Sequence, residues 1–436
     1  MYWLNQILSH LAGYVRHLVH LSAHPEARWS VFRQRFAVQL VTGLVLAGDV
    51  MFSAIVRRMP KNEVAVRHRY KVLNRMLGEI DLVTVAAQQT AELGRRVPEG
   101  AVIAVDLSDI TKAYAKAMPN LAAVRDGSTG EIGKGYGLAT AVVVDPEQER
   151  RAVPLPLMFE VFSTTEEDFK SQPAIWLDML RRICAGTKAG TFAIDREGDN
   201  GRILRLLLAE KRHFVVRLQV HENSRHLVFD ENARARVRDL WEGARFYGEL
   251  EATRLLNDGK RGAYRARYGS RPVRLPGHEQ QLWMCVFKTD EHHNPMVLLT
   301  THKADTPAAV ARVLGMYFAR WSVEETHRFA KQEFKLENIR ALTWNRLQNL
   351  VAAVWIAIGA IATFVQRPNA EAALRTFEVL SQRIIKPLKV GQFWGYAIVD
   401  GIRAVVPSAH RLLALIPGIW VPPPPDRQPS LFGPRA

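Results

Sequence analysis

Two aspartates stand out by where they fall. Asp106 closes the apolar run AVIAVD and Asp195 closes TFAID. Each run reads as a short buried strand whose tip presents a carboxylate. Neighbouring tips of this kind bring two carboxylates to one cation, and oxygen donors with no His or Cys beside them favour Mg2+ or Mn2+. Asp109 is the rival to Asp106, which is preferred because it stands directly at the end of its run. A third carboxylate is expected from the segment GMYFARWSVEETHRFAKQEFKLENIR.

Drawn as one helix, Tyr317, Arg320, Glu324, Arg328, Lys331 and Lys335 of that segment share an arc of about 80° at roughly 100° per residue. One acid could hold a metal there while the cations and the tyrosine hydroxyl grip a phosphate backbone. A surface helix with i,i+4 pairs such as Arg320–Glu324 and Glu324–Arg328 gives the same wheel, and the wheel alone does not choose.

The elements that must position these groups are legible in outline. Residues 1–95 read as helices. Between Ile55 and Arg75 they carry Arg57, Arg58, Lys61, Arg67, Arg69, Lys71 and Arg75 against one acid, Glu63. Bases packed onto short helices suit phosphate contacts, and Arg67, Arg69, Lys71 and Arg75 are the candidates taken forward. After Pro98 the chain reads strand, strand, strand, helix, strand, helix, strand: a mixed sheet flanked by helices. GEIGKGYG lacks the phosphate-loop spacing and reads as a hairpin turn. Residues 222–301 read as a β-rich, Arg-rich insertion. A long helix starts near Pro307, and the uncharged stretch Leu350–Val365, short of a membrane span, reads as a buried core helix. The tail VPPPPDRQPSLFGPRA reads as extended or disordered.

Composition sets the frame. The 436 residues exceed one hydrophobic core, and 48% hydrophobic with 23% charged residues is the balance of a folded protein. Cys184 and Cys285 are the only cysteines, which excludes a disulfide framework, a Cys-based zinc site and an iron–sulfur cluster. Lys and Arg number 59 against 43 Asp and Glu, a formal charge of +16 that calls for a polyanionic partner.

Tyr317, Arg320, Glu324 and Lys331 reproduce the Y-x2-R-x3-E-x6-K signature, and the chain thereby resembles the insertion sequence 4 family of DDE transposases. VDLSDITK resembles that family's first acidic motif, AIDREGDN its second, and VRHRYKVLNRMLG its N-terminal DNA-binding helices. The resemblance implies an α/β fold: an RNase H-like catalytic core with a helical N-terminal domain and a β-rich insertion. On that reading residues 1–95 bind DNA, 96–221 and 302–370 form the two parts of the core, 222–301 the insertion, and 371–436 a C-terminal helical region with a Pro-rich tail. It implies Asp106, Asp195 and Glu324 as catalytic ligands of two Mg2+ or Mn2+ ions, with Tyr317, Arg320 and Lys331 on the transposon-end phosphates and Arg328 and Lys335 beside them.

The partners implied are double-stranded DNA (terminal inverted repeats and target) and a second copy of the chain in a paired-end complex. No membrane is expected, and the place implied is the bacterial cytoplasm beside the nucleoid. One departure concerns hairpin formation, where relatives carry tryptophan at the start of the last insertion strand and this chain has Met296. Either another aromatic such as Trp283 substitutes or the hairpin step is altered, and a packed insertion residue is the favoured reading of Trp283. A nuclease of the same fold without strand joining, and a domesticated DNA-binding protein, are the alternatives.

Overall fold

The computed structural model describes residues 2–22, 29–58, 65–125, 130–145, 153–230, 232–255, 261–289, 294–381 and 395–405. Lys61, Glu63 and the Pro-rich tail lie outside them. The chain divides into two compact units. One takes the described residues within 1–85, 333–387 and 396–436, the other those within 86–332 and 388–395.

The first unit is helical. It comprises α1 (Tyr2–Ser22), α2 (Val31–Ala47), α3 (Phe52–Arg58), α4 (Val66–Glu79) and the start of α5 (Leu82–Gly94). From later in the chain come α11 (Trp344–Val365), α12 (Glu371–Leu380) and α13 (Gly395–Val405). α11 is apolar on every side and long enough to cross a membrane. Its side chains from Leu350 to Phe364 are nonetheless buried, and it packs on α1, α2 and α4. A helix hydrophobic all round needs cover on all its faces, which the amphipathic α1 and α4 help supply. Residues 333–370, expected in the second part of the core, therefore belong with the N-terminal helices. Asn349 fixes the packing. Its amide donates to the carbonyls of Leu77 and Ile80, and its oxygen accepts from the Leu82 N–H at 2.7 Å.

The second unit is built on one ten-stranded sheet. Its strands are β1 (Val102–Thr111), β2 (Ala122–Arg125), β3 (Ile132–Val144), β4 (Leu155–Phe162), β5 (Thr191–Ile194) and β6 (His213–Arg217), followed by β9 (Gly248–Leu255), β10 (Arg261–Val273), β11 (Leu282–Lys288) and β12 (Met296–Thr300). β7 (His226–Phe229) and β8 (Ala233–Arg236) form a separate ribbon. The helices are α6 (Gln172–Gly186), α7 (Gly201–Ala209), α8 (Val237–Glu242), α9 (Pro307–Ala319) and α10 (Trp321–Glu333). β4, β3 and β1 form an antiparallel meander, and β5 and β6 continue it in parallel beyond β1. Such a mixed sheet is the arrangement expected of an RNase H-like core.

Three expectations change. β1 runs on past Asp106 to Thr111 because β3 pairs with it residue for residue to Gly135, so Asp106 is internal to its strand. GEIGKGYG is largely strand. A Cβ on Gly135 would collide with the Ile110 carbonyl, and one on Gly137 with the Phe162 ring, so these glycines answer to strand packing. The described residues of the insertion, finally, extend the core sheet, the β7–β8 ribbon apart. β12 pairs antiparallel with β6, Leu299 opposite Val216, and β11, β10 and β9 follow outward. Without them β6 would be an open edge.

Candidate active site

The two aspartates are set level by strand register. β1 and β5 are parallel, and their last paired residues are Val105 and Ile194. Asp106 and Asp195 are each the next residue, on adjacent strands that run about 4.8 Å apart. Pairing of Ile194 with Val216 puts Arg217 at the same level on β6. Its Nη1 lies 3.8 Å from Asp195 Oδ1.

α9 and α10 bring the remaining groups. α9 starts at a Thr306 cap with Pro307 in its first turn and packs on β5, β6 and β9, burying Val310, Val313, Leu314 and Tyr317. The helix is interrupted at Arg320, a single residue between α9 and α10. The Tyr317 hydroxyl donates to Asp195 Oδ1 at 2.9 Å. Arg320 donates from Nη2 to Glu324 Oε1 at 2.9 Å, and its Nη1 stands 3.8 Å from Asp106 Oδ2. The Arg320 side chain is only 5% exposed, with the rings of Tyr317 and Trp321 each 5.7 Å from its guanidinium carbon. Its Nε is buried without a hydrogen-bond partner. One turn beyond His327, Lys331 reaches Asp109, Nζ to Oδ2 at 3.5 Å.

The electrostatics separate the two aspartates. Burial pushes Asp106 up to about 7; Arg320 opposes this, and Glu324, Glu197 and Asp195 add to it. Asp195 is also pushed up by burial, but Arg320, the Arg196 N–H, the Tyr317 hydroxyl and Arg217 outweigh that and hold it below its ordinary value. Tyr317 is raised to about 12 by burial and by Asp195, so its hydroxyl stays protonated as a donor. Arg320 is held protonated: Tyr317 and the acids around it overcome its burial.

A hard divalent cation suits this donor set by chemistry, since Asp106 lies in the field of three further carboxylates. Among the described residues, however, no three His, Cys, Asp or Glu stand close enough to hold a metal. Arg320 is the group among the acids, supplying there the positive charge that a cation would otherwise bring.

The expected DNA-contacting residues divide. Tyr317, Arg320 and Lys331 line up with the acids. Arg328 turns to Glu325. Lys335 is not on the helix: α10 ends at Glu333, and Lys335 takes a left-handed backbone, φ 47°. The wheel fails there because the terminal carbonyls have other partners, Glu333 receiving Arg403 Nη2 and Phe334 the Val50 N–H. Lys335 Nζ instead stands 3.5 Å from Asp49 Oδ2 in the helical unit. Arg67, Lys71 and Arg75 are exposed on α4 and Arg69 is half-buried there. Met296 opens β12, and both it and Trp283 pack against the buried cluster around Phe287 and Tyr268.

Three contributors escaped the sequence reading: Arg217, Glu197 and His327. Arg217 carried a usable signal, because it ends the run FVVR as Asp195 ends TFAID. His327 is fully enclosed on α10, its Nε2 without a hydrogen-bond partner, and burial together with Lys331 and Arg320 lowers it to about 3. Its spacing from Glu324 and Lys331 was readable, its burial was not.

A sheet of this order, with acids level on two adjacent parallel strands, defines a protein of the RNase H-like class. A family model of the transposase DDE domain matches residues 99–359, more than half of the chain, and the protein belongs to that family. Every acid of the site falls within the match. A comparison with curated proteins finds no match.

Proposed function

We propose that the protein is a cut-and-paste transposase of the insertion sequence 4 type, which cleaves transposon ends and joins their 3′-hydroxyls to target DNA. The observation that carries this reading is the level placement of Asp106 and Asp195 with Glu324 tied to them through Arg320. Asp106, Asp195 and Glu324 would hold Mg2+ or Mn2+, and two such ions supply activation of the attacking oxygen and stabilisation of the leaving one.

The chain's own groups do the positioning. Tyr317 keeps Asp195 oriented and ionised. Arg320, freed from Glu324, presents a desolvated guanidinium to a phosphate, where a bidentate fork is worth most. Lys331 extends the grip along the same strand. The bases of α4 hold duplex by phosphate contacts, and two copies of the chain pair two ends.

The test is cleavage of a duplex carrying the terminal repeats that flank the gene, with Mg2+. Asp106→Asn, Asp195→Asn and Glu324→Gln should each bind it and fail to cut it. Cleavage at the native rate by any of them removes that residue from the site. Cleavage without joined products would favour the nuclease alternative.

A further inference from the structure

One part of the catalytic unit has no role in cleavage as proposed: the ribbon formed where β1 and β3 run on past the acids. β1 continues five residues from Asp106 to Thr111, about 17 Å at strand rise. α10 follows it. From Glu324 to Lys331 the helix advances about 10 Å, and Asp106 to Asp109 is about the same distance along the strand. The Lys331–Asp109 contact at 3.5 Å ties the two together at that point. A line of groups therefore leads from the acids through Arg320 and Lys331 toward the end of the ribbon.

At that end stands Tyr114, 97% exposed, the most exposed large hydrophobic side chain among the described residues. Its turn is fixed from several directions. The Ala115 N–H donates to Lys112 O at 3.0 Å and the Lys112 N–H to Lys134 O at 2.6 Å. The Tyr136 hydroxyl donates to Pro119 O at 2.7 Å, and Ser163 Oγ to Asn120 O at 2.6 Å. Beside it Lys116, Arg125 and Lys134 are exposed, against Glu131 as the single acid among the described residues of 112–136. Ile132 is 80% exposed on the same ribbon. An aromatic ring presented to solvent among bases is the combination that binds nucleic acid, the ring by stacking on a base and the cations by phosphate contact.

We infer that this ribbon is a DNA-binding platform, on which Tyr114 stacks against a base beyond the phosphate held at the acids. The inference rests on the transposase reading for the position of the cut, but stacking at Tyr114 is measurable without cleavage.

The experiment uses the full chain and a 30-base-pair duplex of arbitrary sequence with a 3′ single-stranded overhang, in which 2-aminopurine is stepped through the overhang. Anisotropy gives affinity, 2-aminopurine fluorescence reports stacking, and Mg2+-dependent nicking of supercoiled plasmid carrying the terminal repeats that flank the gene is followed separately. Tyr114→Ala should weaken overhang binding about tenfold and abolish the fluorescence change, with Tyr114→Trp restoring both. Lys116→Ala with Lys134→Ala should flatten the salt dependence of binding. Native affinity and native fluorescence change in a folded Tyr114→Ala variant overturn the inference, as does a variant that alters only self-association. If the native chain nicks plasmid and Tyr114→Ala binds unchanged, the inference fails and the transposase reading stands. If nothing is nicked yet Tyr114→Ala loses stacking, the reading fails and the platform stands.

Discussion

Tyr317 donates its hydroxyl proton to Asp195 Oδ1 at 2.9 Å across 122 residues of sequence. The bond ties α9 to the end of β5 and fixes one acid of the site before any substrate arrives. Preorganisation of this kind spares the reorganisation that a flexible carboxylate would need.

Removing that donor should be measurable. Tyr317→Phe keeps the ring and loses the bond to a charged acceptor, so stability should fall by about 1–2 kcal/mol. Denaturant unfolding of the purified chain checks it, and an unchanged midpoint would mean that the bond contributes nothing. Cleavage should fall as well, because Asp195 loses one of the groups holding it ionised.

Arg320 and a divalent cation compete for one role, that of neutralising Asp106 and Glu324. Arg320→Ala leaves these carboxylates without their cation and should destabilise the catalytic unit by about 3 kcal/mol in EDTA. Adding Mg2+ should then raise the melting temperature more in the variant than in the native chain. A chain carrying both Asp106→Asn and Asp195→Asn should show no Mg2+ shift, and an equal shift there would place the ion elsewhere.

The acid limb of stability should carry a histidine signature. His10 Nε2 donates to Ala360 O at 2.9 Å and stands 3.1 Å from Thr363 Oγ1. Burial, with Arg367 adding, lowers it from 6.5 to about 4. Above pH 6.5 the ring is neutral folded or unfolded. As pH falls from 6.5 toward 4 the unfolded chain takes up a proton that the folded one refuses, so the stability present above pH 6.5 is progressively lost. His10→Asn should lose less stability than the native chain between pH 7.5 and pH 5. Equal losses would show that His10 titrates normally. His302, lowered to about 4 by burial, His213 and Arg312, should behave alike in the catalytic unit.

The bases of α4 are separable from the chemistry. Replacing Arg67, Lys71 and Arg75 one at a time by Ala should weaken DNA binding uniformly across sequences and lower the salt slope by about 1 each. A single-turnover rate at saturating DNA should stay native. A variant whose slope is unchanged does not touch phosphate.

Part of the site was readable because spacing alone encodes it. Glu324 stands seven residues before Lys331 on α10, and no backbone arrangement short of breaking the helix separates such groups. Lys335 shows the limit of that logic, since the helix does break, at carbonyls claimed by Arg403 and Val50. Asp106 was found through the apolar run before it, although that run stops short of the strand's true end. What continues the strand is β3, a partner some thirty residues on.

The sequence by itself determined the acids, the bases and the mixed order of strands and helices, because composition and periodicity are local properties of the chain. It determined too that α11 must be buried, since a helix apolar all round has no face to offer water. The tertiary structure decided which groups meet. Strand register made Asp106, Asp195 and Arg217 level, and the partners around each aspartate moved the two in opposite directions although both are buried. Packing placed Arg320 among the acids and α11 among the N-terminal helices. Each of these depends on residues from tens to hundreds of positions apart, and on desolvation, which no single segment of sequence can express.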